Sequence, residues 1–282
     1  MAIRRRWCIS LVGLAIAAVP AATMAASGAA ATTAAVPAAH TNTTAHITIM
    51  HGPAVRNGGV ALRVASPGGK DRSAHGVSRA DATSTNWSGY AATGSTYSSV
   101  SATWVQPAVK CNSGDQYSSF WVGLDGYSSN SVEQDGTDSD CSGSTPQYYG
   151  WYEMYPHPSY SFGSSVSPGD TMSASVTFSG TNSYTLTLAD ETKGWSTSTT
   201  KKLNNAARSS AEVIIEAPYS GGILPLADFG TVNFSDSLVD GSAIGNYSPT
   251  SIDMVNSSGA EKDTVSSLSG GENFSGTWVS SN

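Results

Sequence analysis

From residue 81 onward, apolar and polar positions alternate with a period of two, the repeat of a strand that buries one face. In Asp170-Thr-Met-Ser-Ala-Ser-Val-Thr-Phe178, the residues Met172, Ala174, Val176 and Phe178 fall on one side. Ser179-Gly-Thr-Asn182 reads as a turn, after which Tyr184, Leu186 and Leu188 alternate with Ser183, Thr185 and Thr187. This predicts a hairpin with one apolar and one hydroxyl-rich face. Further short strands are predicted over Ser99–Val105, Ser118–Leu124, Tyr148–Tyr155, Ala211–Glu216, Gly230–Phe234 and Phe274–Val279. No segment sustains a helical period. Many short strands separated by Gly and Ser predict an all-β domain, a two-sheet antiparallel β-sandwich of the jelly-roll or concanavalin-like kind. Seven Trp and 12 Tyr suit a core plus an aromatic-lined concave face where a site would lie.

The first 80 residues lack this alternation. Met1 to Ala26 reads as a secretory signal: Arg4–Arg6 form its charged end, Trp7 to Val19 is a short apolar run, and small residues at Ala21–Ala26 offer cleavage positions. That run is too short to span a bilayer comfortably, so no membrane association is expected once the signal is removed. Residues 27–80 are Ala/Thr-rich, then mixed, and are interrupted by Pro53, Pro67 and the Gly58-Gly59 and Gly68-Gly69 pairs. The bland reading is a disordered linker. Charge favours a sharper one. Residues 1–80 hold eight of the 14 Lys+Arg and one acid, whereas 81–282 hold six bases and 20 acids. A basic segment attached to an acidic body is what an electrostatically held pro-segment needs, and 27–80 is predicted to act as an intramolecular inhibitor. Its removal is expected near Arg79–Asp81. A body so acidic argues against nucleic-acid binding, which needs clustered Lys and Arg.

The same segmentation limits the chemistry. Of the five histidines, His40, His46, His51 and His75 precede the body, leaving His157 alone within it. Multi-imidazole zinc sites and HExxH helices are thereby excluded, and no metal or other cofactor is expected. A Ser-His-Asp triad would rest on His157, flanked by Pro156 and Pro158, with no GxSxG turn to supply the nucleophile. Removal of the signal takes Cys8 with it, and the remaining pair, Cys111 and Cys141, is expected to form a disulfide in an oxidising compartment.

Carboxylates and carboxamides remain. In Ala211-Glu-Val-Ile-Ile-Glu216, period two sends Val213 and Ile215 one way and Glu212, Ile214 and Glu216 the other. A mid-strand glutamate is usually solvated on an outer face. The alternative is a carboxyl on a concave face, with a raised pKa suited to acid–base work. Glu153, in Trp151-Tyr-Glu153, is a second such position, expected opposite its aromatic neighbours.

These stretches also carry a resemblance. Thr85-Asn-Trp-Ser-Gly89, Trp121-Val-Gly-Leu-Asp-Gly126, Glu133-Gln-Asp-Gly136, Trp151-Tyr-Glu-Met-Tyr-Pro156, Ala211-Glu-Val-Ile-Ile-Glu216, Leu226-Ala-Asp-Phe-Gly-Thr231 and Ser251-Ile-Asp-Met-Val255 resemble, in order, the glutamic peptidases, or eqolisins. The resemblance implies a secreted acid endopeptidase acting on protein or peptide substrates, with a two-sheet β-sandwich fold. It places the catalytic glutamate at Glu216 and the catalytic glutamine at Gln134, with Trp121, Asp125, Trp151 and Glu153 lining or supporting the site. Two departures stand out. Tyr149 replaces an acidic residue expected two before Trp151, and Val213 replaces a tryptophan, with an expected effect on a subsite. Two other readings remain on the same architecture: a glycosidase using Glu153 and Glu216 as its carboxylate pair, and a non-catalytic lectin-like module. Five Asn-x-Ser matches begin at Asn86, Asn233, Asn246, Asn256 and Asn273. Monomer is the default state for such a hydrolase.

Overall fold

The structure is a computed structural model that describes residues 51, 52, 54 and 80–282. The signal assigned to 1–26, and nearly all of the basic segment 27–80, lie outside the described residues.

Sixteen strands follow in chain order: β1 (Ala82–Ser84), β2 (Trp87–Thr93), β3 (Ser99–Val105), β4 (Ser119–Leu124), β5 (Val132–Ser142), β6 (Thr145–Tyr155), β7 (Tyr160–Ser165), β8 (Thr171–Gly180), β9 (Ser183–Asp190), β10 (Trp195–Lys202), β11 (Ser210–Glu216), β12 (Thr231–Val239), β13 (Ser242–Ala243), β14 (Thr250–Val255), β15 (Glu261–Val265) and β16 (Phe274–Trp278). Edge to edge they run β10-β9-β8-β3-β12-β16-β15-β14-β2-β11-β4-β5-β6-β7, with β1 beside β14 and β13 beside β12. Pairing is antiparallel except between β1 and β14. The ribbon of strands folds over on itself, so that β3, β8 and β9 lie face to face with β4, β5 and β11. This is the expected two-layer sandwich.

The alternation read from the sequence is what fills the space between layers. Met172, Ala174 and Val176 of β8 and Tyr184, Leu186 and Leu188 of β9 turn inward. They meet Phe120, Val122 and Leu124 of β4 and Val213 and Ile215 of β11 in one continuous core. Each large apolar side chain so buried contributes roughly 1.5–3 kcal/mol. Two predicted boundaries shift for local reasons. β12 continues past Phe234 because a register shift between Ser235 and Leu238 interrupts the alternation without ending the pairing. β6 begins at Thr145 because its hairpin with β5 runs out to the Ser142–Thr145 pair.

Strands β1, β2, β5, β7, β10, β13, β14 and β15 were not expected from the pattern. β5 is the informative case. It carries Glu133, Asp135, Asp138 and Asp140, residues that disfavour strands, yet all four are buried. Position overrides propensity there, because β5 pairs with β4 on one side and β6 on the other. Cys111 and Cys141 are disulfide-bonded, tying the segment before β4 to the end of β5.

Candidate active site

β11, β4, β5 and β6 are successive neighbours, and their register decides which side chains meet. Ile214 pairs with Trp121, Trp121 with Gly136, and Gly136 with Trp151. Gln134 lies between Gly123 and Glu153. With side chains alternating along each strand, Glu216, Trp121, Gln134, Trp151 and Glu153 all project from the face opposite the main core. A second apolar cluster gathers on this face, with Trp87, Trp121, Val132, Trp151 and Ile214 at its centre. Two glycines make room. A Cβ at Gly123 would stand 2.8 Å from the Trp121 ring and 3.2 Å from Cβ of Gln134, and one at Gly136 only 2.6 Å from Cβ of Trp121.

Glu216 closes β11 and is wholly buried. Its Oε1 accepts from Asn86 Nδ2 at 3.3 Å and its Oε2 from Trp121 Nε1 at 3.0 Å. Burial raises its pKa well above the ordinary glutamate value and the nearby Glu153 charge adds to this, against hydrogen bonds from Trp87, Trp121 and Asn86. Glu153 is raised to about 8, again by burial first, with Asp138 adding to it. Asp138, raised to about 7 by burial, accepts from Trp151 Nε1 at 2.6 Å. The solvated outer-face reading of these mid-strand glutamates therefore does not hold, for Glu212, Glu153 and Glu216 are all buried.

A short stretch of the N-terminal segment lies across this face. Gln134 Nε2 donates to the carbonyl of His51. The His51 N–H donates to Glu153 Oε2 at 2.8 Å, and its ring Nδ1 stands 3.5 Å from Glu216 Oε2. The imidazole stacks on Trp151, with centroids 3.6 Å apart and planes 3° from parallel. Trp87 Nε1 donates to the carbonyl of Gly52 at 3.1 Å, and Ala54 N–H to the carbonyl of Gly126 at 3.3 Å. His51 is 1% exposed.

Five of the six non-cysteine residues singled out from the sequence thus meet. Asp125 stands apart from them, at the turn after β4. Its carboxylate accepts from Arg208 N–H (2.6 Å), Ser209 N–H (2.9 Å) and Ser209 Oγ (3.0 Å), pinning the segment that leads into β11. Two expectations need correction, and one motif is closed. Glu153 shares its face with Trp151 and opposes only Tyr152, as a two-residue spacing requires. Val213 points into the main core and lines no part of the site. Asn86 is 2% exposed with its amide on Glu216, so its Asn-x-Ser match is closed to glycosylation. At the Tyr149 departure, the phenol donates to Asp140 Oδ2 at 2.7 Å, so the neighbouring strand supplies the carboxylate.

Sequence reasoning passed over Asn86, Trp87, Asp138 and His51. The first two lie in the Thr85–Gly89 stretch, whose signal was read only as a match. Asp138 had none, and His51 was counted as part of a charge balance.

Comparison with known proteins bears on what this arrangement is. Scytalidopepsin B of Scytalidium lignicola is 35% identical over 136 residues, which is 46% of this chain and 51% of the relative; the chain thus matches about half the length of that curated protein. The crystal structure of scytalido-glutamic peptidase with a transition state analog inhibitor superposes with a TM-score of 0.61 at 28% identity, covering 69% of this chain and 98% of that one. SCP-B, an eqolisin in complex with the tripeptide Ala-Ile-His, gives 0.57 at 26% identity over the same shares. The Peptidase A4 family matches residues 85–278, a span that holds Glu216, Gln134 and the strands that bring them together. The chain therefore belongs to the Peptidase A4 family, the glutamic peptidases.

Proposed function

We propose that this chain is a secreted acid endopeptidase, made with a signal (1–26) and a basic pro-segment (27–80) that inhibits the 81–282 domain, in which Glu216 and Gln134 form the catalytic pair. One observation carries this reading above the others: Gln134 Nε2 donates to a main-chain carbonyl, that of His51, while Glu216 stands beside the same residue. A carboxamide on a peptide carbonyl is the contact an oxyanion donor makes. Complexes of the relatives with a tripeptide and with an inhibitor support peptide substrates. The glycosidase reading loses ground to the Glu153 contact, which is to a peptide N–H.

In the mechanism, Glu216 takes a proton from a water molecule as that water attacks the scissile carbonyl. Gln134 donates to the oxygen as negative charge develops there, and the protonated Glu216 then delivers its proton to the leaving nitrogen. No covalent intermediate forms. Asn86 and Trp121 hold the two carboxyl oxygens, so the base is aimed before substrate arrives. With the cleft filled, burial raises the Glu216 pKa and leaves a smaller ionised fraction to act as base, so a docked segment is attacked slowly. Water in place of the segment lifts that penalty, so the carboxyl ionises nearer its ordinary value of about 4.3. The carboxamide does not titrate and keeps its function in acid, where an imidazole base would be protonated.

The test is cleavage of a denatured protein from about pH 2 to 7 by the matured domain and by Glu216→Gln, with inhibitors of aspartic, serine, cysteine and metallo-peptidases present. Activity confined to acid, unaffected by every inhibitor and lost in the variant, is the expected result. Full activity in the variant overturns the assignment.

A further inference from the structure

We propose that the chain cleaves itself at the His51–Gly52 peptide bond, a proposal that rests on the peptidase reading above. Residues 51, 52 and 54 are held as a bound substrate would be, through backbone groups and on both sides of a single peptide bond. Before that bond, the His51 N–H is held by Glu153 and the His51 carbonyl by Gln134. After it, the Gly52 carbonyl is held by Trp87 and the Ala54 N–H by the Gly126 carbonyl. Main-chain hydrogen bonds of this kind supply affinity without regard to sequence, while side-chain pockets select what fits. The selective contact here is the flat imidazole on the Trp151 face.

Position along the segment is fixed by the pair that would do the chemistry. Of the described carbonyls of the segment, that of His51 meets the carboxamide, and the Glu216 carboxyl lies at the same residue, 3.5 Å from its ring. Gly52 packs beside the Tyr155 ring, 3.6 Å from where a Cβ would sit, which is ordinary contact. By contrast, the Arg79–Asp81 region suggested by charge is anchored at its described end. Ala80 N–H donates to Asp253 Oδ2 (3.4 Å) and Asp81 N–H to Ser251 Oγ (3.0 Å), and β1 then pairs with β14. Any cut there comes later, after 51–54 has left the cleft.

The step is a hydrolysis and needs only water. Water oxygen bonds to the His51 carbonyl carbon, the bond from that carbon to the Gly52 nitrogen breaks, and the proton taken by Glu216 passes to that nitrogen. The products are a segment ending in the His51 carboxylate and a chain beginning at the Gly52 amine.

The test uses the full pro-form lacking its signal, purified at neutral pH, brought stepwise from about pH 6.5 to about pH 3.5 and followed at each step by intact mass and N-terminal sequencing. A new terminus at Gly52 is expected in the wild type and its absence in Glu216→Gln. Gly52→Pro, which removes no recorded hydrogen bond, is expected to keep the 51–52 bond intact. As a check independent of folding, a synthetic peptide spanning residues 48–56 is added to matured enzyme and should be cut between His and Gly. A denatured protein added in parallel separates the two failures. Digestion of that protein with both 51–52 bonds left whole overturns this inference and leaves the peptidase reading standing; no digestion at all removes both. Appearance of the Gly52 terminus in Glu216→Gln would assign the cut to another enzyme and overturn the inference as well.

Discussion

Trp151 Nε1 donates to Asp138 Oδ1 at 2.6 Å, and the indole fixed in this way carries the His51 ring flat against its face. One strand therefore sets the plane and the next presents it, so the residue ahead of the proposed scissile bond meets a fixed flat surface. Trp151→Ala is expected to raise KM roughly two- to tenfold for peptides with His or Phe at that place, the worth of a stacked pair, and to spare those with Ala. Steady-state kinetics on a matched peptide pair decides. An equal loss for both peptides would remove stacking as the basis of selection.

Gln134→Ala is expected to lower kcat by about 10²–10³-fold, corresponding to roughly 3–4 kcal/mol of lost oxyanion stabilisation. Because an amide does not titrate, the pH profile should keep its shape while its height falls. A shifted profile would instead show that Gln134 acts by tuning the ionisation of Glu216.

The fold itself is expected to favour acid. Burial between the layers raises Glu133 from 4.5 to about 9 and Asp135 well above its ordinary value. A raised carboxyl contributes stability that is complete below its unfolded value and is lost as pH rises through its folded one. For Glu133 the loss therefore begins near pH 4.5 and runs to about 9. Melting temperatures of the inactive Glu216→Gln protein, which cannot digest itself, should fall steadily over that range. Adding Glu133→Gln should flatten the slope; an unchanged slope would rule out Glu133 as a source.

His51 has the opposite sign. Burial lowers its pKa from 6.5 to about 3, so docking of the segment is fully favoured above 6.5 and is lost as pH falls through about 3. Glu216 and Glu153 face it, both with raised pKa values and hence neutral in acid, and Gln134 carries no charge. His51→Phe keeps the stack and removes the titration. In the Glu216→Gln background it is expected to keep the cleft closed to a labelled peptide at pH values where the histidine form opens, as read by fluorescence anisotropy. Identical opening curves would place the switch elsewhere.

What could be read from the sequence follows from how local its cause is. The β8–β9 hairpin and the faces of β11 follow from alternation alone, because each strand buries one side against a layer of ordinary apolar residues. β5 defeats the same rule. Its carboxyls are buried on both faces, Glu133 and Asp135 between the layers and Asp138 toward the cleft, so no apolar period exists to detect. Gln134 was found through resemblance and not through pattern. His51 was hidden for a different reason. Its partners, Gln134, Glu153, Trp151 and Glu216, lie 83 residues or more further along the chain, and nothing near it in sequence announces them.

Glu133 and Gln134 are consecutive residues on β5, one facing the packed interior and the other the cleft. The acid whose raised pKa is expected to weaken the fold as pH rises and the amide that would serve the reaction are therefore adjacent links of one strand. A single-residue insertion or deletion at this strand would exchange them, presenting a carboxyl where the amide belongs and an amide to the core. On the proposed function, tolerance of acidity and competence at the cleft would be inherited together, and a change toward neutral conditions would have to rebuild both from the same eleven residues.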